Sequence, residues 1–189
     1  MIREAPRIET ERLILRAFGV PDLDPYAATL ADEDVMRFMG GKPMIREDSW
    51  RRMLSGIGMW ATIGVGPWAV ERKADRAMVG HCGFFQFHRE MDPSILGEPE
   101  MGWIFDRSVH GQGFAFEACV AALEWADAAL DAASYPAIID LDNVASIKLA
   151  ERLGFVRQPD ATYRDEAMAY YRRPARLPAA AATAAPTAA

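Results

Sequence analysis

The chain has 189 residues, 51% of them apolar and 25% charged, with a formal net charge of -6. That is the balance of one soluble globular domain, and it excludes a wholly disordered or collagen-like chain. An acidic body without a Lys/Arg block is a poor nucleic-acid binder, and no apolar run approaches a membrane span, so neither nucleic acid nor membrane is an expected partner.

Residues 7 to 18 read as the first strand, with Leu13, Leu15 and Ala17 on one side and Arg12, Ile14 and Arg16 on the other. Pro21 and Asp22 open a helix through Ala31, and a short helix over 33–39 stops at Gly40-Gly41. Trp50, Met53, Leu54 and Ile57 recur at helical spacing, which predicts a third helix over 47–57 ended by Gly56 and Gly58. Strands follow over 68–72 and 78–87 around a hairpin-like connection, then a strand over 100–106. The clearest helix covers 114–130. A short buried strand over 136–141 leads to a helix over 144–153, with Asp142 or Asn143 as N-cap and Gly154 in the C-cap place. Strands over 155–156 and 167–172 complete a body of residues 1–176. The stretch 177–189, LPAAAATAAPTAA, is uncharged and of low complexity, and is expected to be a disordered tail. The order predicts an α/β class fold, an α+β sandwich of one sheet covered by helices.

The most informative local pattern is IFDRSVHGQGFAFEA, residues 104–118, where a strand passes through Gly111 and Gly113 into a helix. Glycine lets the backbone approach a ligand closely, and the first helical turn offers free N–H groups and a positive dipole end. Together they make an anion cradle suited to a pyrophosphate. A dinucleotide fingerprint lacks its third glycine, because Phe116 stands there, and no Gly-Lys-Ser/Thr phosphate loop is present. A plain helix-capping loop is the competing explanation for two glycines alone.

One strand and one helix further on lies LDNVASIKLAERLGF, residues 141–155. With this second pattern the chain resembles the GNAT superfamily of acyl-CoA N-acyltransferases, and within it the branch of the ribosomal-protein alanine N-acetyltransferases. The superfamily's Arg/Gln-x-x-Gly-x-Gly/Ala turn corresponds to Ser108-Val109-His110-Gly111-Gln112-Gly113, continued by Phe114-Ala115-Phe116-Glu117-Ala118. The branch's Asn-x-x-Ser helix ending in Leu-Gly-Phe corresponds to Asn143, Ser146 and Leu153-Gly154-Phe155, and IETERLILRAF resembles its first strand. The resemblance covers roughly residues 7 to 173. It implies a single mixed, mostly antiparallel sheet flanked by helices and splayed open at a cofactor cleft.

It also implies acetyl-CoA as cosubstrate. The pyrophosphate would sit on the turn from His110, Gly111 and Gln112 to Gly113, Phe114 and Ala115. The pantetheine arm would pair with backbone near Ile104 and Phe105, and Asn143 and Ser146 would bind the arm from the other side. Ser108 departs from the Arg or Gln of the superfamily, with Arg107 and His110 as nearby substitutes. An attacking amine must lose a proton, and Glu100 resembles the family's frequent base position, with Glu98 as the alternative. An N–H of Trp103 or Ile104 would hold the oxyanion. The position from which many relatives protonate the leaving thiolate is Ala150 here; Tyr163, Tyr170 and Tyr171 are the substitutes. Phe38 and Trp68 would wall the acceptor pocket.

His81, His88 and His110 form no metal-ligand pattern, so no metal is expected. Cys82 and Cys119 fit no disulfide framework, which makes a reducing cytoplasm the simplest compartment. The expected activity is direct acetyl transfer to a primary amine, on a protein N-terminus or a small molecule, by a monomer or homodimer. The rival readings are a non-catalytic acyl-CoA-binding module and another α/β nucleotide binder.

Overall fold

The computed structural model describes residues 3–176. In chain order the elements are β1 (Ile8–Glu9), β2 (Leu13–Arg16), α1 (Leu23–Ala31), α2 (Glu33–Met36), α3 (Arg46–Ile63), β3 (Pro67–Arg72), β4 (Met78–Phe85), β5 (Met91–Asp92), β6 (Glu100–Phe105), α4 (Phe114–Ala129), β7 (Ser134–Asp140), α5 (Val144–Arg152), β8 (Val156–Arg157), β9 (Ala161–Tyr163) and β10 (Glu166–Pro174). The strands form two antiparallel ladders, β1-β2-β3-β4-β6 and β5-β9-β10-β7, with β8 also on β10. The expected antiparallel sheet flanked by helices is therefore present, and it is not closed. It divides between β6 and β7, which lie near each other but share no ladder. The segment 177–189, expected as a tail, lies outside the described residues.

Strand alternation assigns the two faces. Cys82, Phe84, Met101 and Phe105 belong to the core packed under α4. Ile104 belongs to the opposite core, with Leu23, Tyr26 and Leu30 of α1 and Met53 of α3. By the same alternation His81, Phe85 and Glu100 look toward α1 and α3. The α4 side is anchored by Trp60, Trp68 and Trp125, whose rings meet edge to face at 4.7, 5.3 and 4.9 Å. Each such contact adds about 0.5–1.5 kcal/mol beyond the area it buries.

Several boundaries differ from expectation for local physical reasons. The first strand splits into the β1–β2 pair, because Thr10 and Leu13 close a turn through Thr10 N–H to the Leu13 carbonyl at 3.0 Å. Helix α3 runs through Gly56 and Gly58 and stops only at Gly64, which takes the left-handed φ of 78°. Gly56 serves close packing: a β-carbon there would lie 2.6 Å from Cγ of Pro67. The strand expected over 167–172 is one arm of a β9–β10 hairpin that the sequence reading missed. Arg164 and Asp165 turn it with φ of 55° and 64°, as a tight hairpin requires.

Candidate active site

Gly111 and Gly113 both adopt left-handed backbone, with φ of 73° and 80°, and Gly113 is the N-cap of α4. Among the described residues no backbone acceptor takes the N–H groups of Gly111, Gly113, Phe114, Ala115 or Phe116; Gln112 N–H reaches the Val109 carbonyl at 3.4 Å, and after Gly113 the first bonded amide is Glu117, to the Gly113 carbonyl at 3.1 Å. A β-carbon at Gly111 would meet no protein atom within 4 Å, so the space over the turn is open. Free amides, a helix N-terminus and open space fit an anionic ligand the size of a pyrophosphate.

The side chains around the turn are arranged differently from the expectation. The Ser108 hydroxyl donates to Oδ1 of Asp106. Arg107 is paired with Asp32 and Asp34, and His110 Nε2 lies 2.9 Å from the Phe105 carbonyl. A carbonyl only accepts, so that nitrogen carries the proton. Both are thus engaged within the protein, Arg107 by two carboxylates and His110 by a main-chain carbonyl. A cation that contacts the turn backbone is Arg12 of the β1–β2 connection, absent from the sequence-based site. Its Nη1 donates to the Gln112 carbonyl at 3.0 Å, its Nε to Glu117 at 2.6 Å, and its guanidinium covers the Phe114 ring at 4.3 Å.

Hydrogen-bond parity decides which peptide groups of β6 are free. Asp106 N–H donates to the Val79 carbonyl, directly opposite in the β4–β6 register. In an antiparallel ladder every second residue bonds the same neighbour. The peptide groups of Ile104 are therefore used by His81, whereas those of Met101, Trp103 and Phe105 face the split toward β7. Of the residues expected to pair with a ligand arm, Phe105 faces the split and Ile104 does not; Trp103 supplies the other free position. On the far wall, Asn143 Oδ1 accepts from Ser146 N–H at 3.1 Å, and Ser146 Oγ accepts from Trp103 Nε1 at 3.3 Å. Asn143 is thus a true N-cap, with its amide N–H2 still available as a donor.

Glu100 opens β6 at the end opposite the turn and is 5% exposed. Arg89, from the connection 86–99, forks onto it, with Nε 2.8 Å from Oε2 and Nη2 3.1 Å from Oε1. Burial pushes the carboxyl above its usual range, and the Arg89 guanidinium, with a weaker field from Arg52 of α3, opposes that push. Glu98 is instead engaged by Arg172 of β10. On the same face His81 lies among the rings of Phe18, Tyr26 and Phe85, at 5.3 Å from Tyr26. Its Nδ1 is buried without a partner, and burial holds the ring neutral with a pKa of about 3.

Beyond Glu100 a cavity of about 650 Å³ opens between residues 87–92 and 162–165. Tyr163 is at its wall, whereas the Tyr170 hydroxyl is held by Arg172 and the Tyr171 hydroxyl lies 3.3 Å from Glu151. Trp68 is fully buried on the α4 side, so it is core and not an acceptor wall. Among the described residues no group of His, Cys, Asp and Glu is arranged to hold a metal ion. No helix of the described residues is long and apolar enough to cross a membrane.

Sequence and structure comparisons agree on the family and the fold. The family described as an acetyltransferase (GNAT) domain matches residues 12–156. The chain is 27% identical over 150 residues to the uncharacterized N-acetyltransferase p20 of Bacillus licheniformis, covering 79% of this chain and 82% of that protein. A solved acetyltransferase from Agrobacterium tumefaciens superposes with a TM-score of 0.76 at 26% identity, over 89% of this chain and 94% of that one. RimL, a ribosomal L7/L12 alpha-N-protein acetyltransferase solved with coenzyme A, shares the fold at a TM-score of 0.70 and 16% identity, over 89% and 98% of the two chains. With most of its length matched by that domain, this chain belongs to the GNAT acetyltransferase family.

Proposed function

We propose that the protein transfers an acetyl group from acetyl-CoA directly to a primary amine, on a protein N-terminus or a small molecule, in the cytoplasm. One observation carries the reading: the open glycine turn and the buried Glu100 stand at opposite ends of the same strand, along the split between the two ladders. A molecule with a phosphate-bearing head and a reactive tail spans such an arrangement, head on the turn and tail near Glu100.

The residues would divide the work as follows. Amides from Gly111 to Phe116 hold the phosphates, with Arg12 beside them. Trp103 and Phe105 offer backbone groups to the pantetheine arm, and Asn143 offers its amide. Glu100 accepts the proton that the amine nitrogen loses as it bonds to the acyl carbon, directly or through one water. The acyl–sulfur bond then breaks, and coenzyme A leaves as the thiol or thiolate. Trp103 N–H faces the split and is placed to stabilise the charge that develops on the acyl oxygen. The acceptor approaches through the cavity between 87–92 and 162–165.

The test has two arms. Calorimetry with coenzyme A, ATP and NAD should show binding of coenzyme A alone. A thiol-release screen with acetyl-CoA over small amines and Ala- or Ser-starting peptides should then find an acceptor. Tight coenzyme A binding with no release from any amine would convert the reading to a non-catalytic acyl-CoA-binding module. Binding of ATP or NAD in preference would overturn it altogether.

A further inference from the structure

Arg89 is held more firmly than its place in a long connection suggests. Its guanidinium lies 4.7 Å from the ring centroid of Phe87 and 4.8 Å from that of Tyr163. Tyr163 belongs to β9, and β5, two residues beyond Arg89, pairs with β9 through Met91↔Tyr163 and Asp92↔Thr162. The arginine is thus fixed by the second ladder, while the carboxylate it binds belongs to the first. The pair is well covered, with side chains 19% and 7% exposed. A two-point fork between a planar guanidinium and a carboxylate sets the direction of both.

We propose that Arg89 is a positioning residue of the transfer reaction: it fixes the orientation of the Glu100 carboxylate and governs how readily that carboxylate takes the amine's proton. The inference rests on the reading of Glu100 as the base. Each carboxylate oxygen has two lone-pair sites, and the fork uses one on each, which leaves one on each for the incoming proton. Burial favours the neutral carboxyl and the Arg89 fork opposes it, so the cation in contact favours the charged form that can take a proton.

The other charges around Glu100 do not substitute for Arg89. Arg52, from α3, contributes the weaker field. His81, on the same face, stays neutral down to a pKa of about 3. Glu98 is held by Arg172. His88, Glu90, Asp92, Arg164 and Asp165 line the open cavity, where water screens them.

The test uses the full chain in three variants, Arg89→Met, Arg89→Lys and Tyr163→Leu. The first readout needs no reaction: a ¹³C NMR titration of glutamate carboxyls, with the Glu100 signal assigned by its loss in Glu100→Gln. In Arg89→Met the Glu100 titration should move up by about one pH unit or more. In Tyr163→Leu it should move less, in the same direction, and in Arg89→Lys it should stay near wild type. The second readout is the pH profile of kcat/KM with acetyl-CoA and the amine or peptide selected by the screen above. The acid limb should follow the NMR shift, and Arg89→Lys, which keeps the charge but loses the fork, should lower kcat about tenfold with KM for acetyl-CoA unchanged.

A uniform loss of activity in Arg89→Met with an unmoved titration and acid limb overturns the inference, since loosened structure alone gives that result. Wild-type turnover in Glu100→Gln instead removes the base reading on which it stands. Should Arg89→Met fail to fold, Arg89→Lys and Tyr163→Leu decide: wild-type kcat in the first and an unmoved titration in the second overturn the inference.

Discussion

At one end of β6 a ligand would meet peptide N–H groups; at the other it would meet side chains. The turn at 111–113 depends on two glycines with left-handed backbone and on a helix that starts directly after them. Its partners are neighbours in the chain, and its chemistry comes from the main chain. The Glu100 end draws on α1, α3, β4, the connection 86–99 and β9, so its chemistry comes from side chains brought from distant segments. The contrast teaches that a site built from main-chain groups is indifferent to most side-chain changes, such as serine at position 108, whereas one built from converging side chains depends on a few specific contacts.

The strongest way to break that comparison is Glu100→Gln. If the side-chain end carries the proton transfer, turnover should fall on the order of a hundredfold or more, with coenzyme A affinity unchanged. The pH dependence has a definite sign. Burial raises the Glu100 pKa above its ordinary 4.5, so wild-type activity should be lost as pH falls through that raised value. The Gln variant should lack this limb and recover in part at high pH, where more of the amine is already neutral. Steady-state kinetics across pH, with calorimetry for coenzyme A, checks both halves.

Gly113→Asp tests the opposite end. A residue with a β-carbon at φ of 80° costs about 1–2 kcal/mol. The new carboxylate would compete for the helix N-terminus and for Arg12, whose Nη2 lies 3.4 Å from the β-carbon position. Coenzyme A affinity should drop about tenfold or more in a folded protein, with kcat at saturating cosubstrate changed far less. Unchanged affinity by calorimetry would mean that the amides at this turn do not hold the phosphates.

His81→Phe gives the smallest and most local effect. The His81 pKa of about 3 lies far below the 6.5 of an exposed histidine. Between those values the unfolded chain binds a proton that the folded chain refuses, so His81 costs stability progressively as pH falls below 6.5. The steepness is bounded by about 1.4 kcal/mol per pH unit. Denaturant midpoints at pH 7 and pH 4.5 should therefore differ less for the Phe variant than for wild type. An identical pH dependence would mean that the ring is not held neutral by burial.

The two ends of β6 also differ in how much of them could be read from the residues. Gly111, Gly113 and the start of α4 follow one another directly, and the need for glycine in left-handed backbone is local, so the turn was legible. The N-cap of α5 was legible to within one residue, Asp142 or Asn143. Glu100 could be singled out only through resemblance, and its Arg89 partner left no trace, because a loop arginine has no periodicity and its contact depends on where two ladders meet. Arg12 escaped notice for the same reason: its partners Gln112 and Glu117 are a hundred positions away.

Strands of two or three residues, such as β5 and β9, are too short for an alternating pattern to register. Gly56 misled in the other direction, because a glycine that stops a helix and one that admits Pro67 look identical in a sequence. The chain alone therefore determined the order of the longer elements, the α+β class and the glycine turn that leads into α4, all of which rest on local backbone preference and hydrophobic period. Only the tertiary structure decided that Trp68 is core, that Ile104 spends its peptide groups on β4, and that a buried carboxylate meets an arginine held by the other ladder. Those outcomes depend on ladder parity and on side chains converging from distant segments, and neither is encoded in any short stretch of residues.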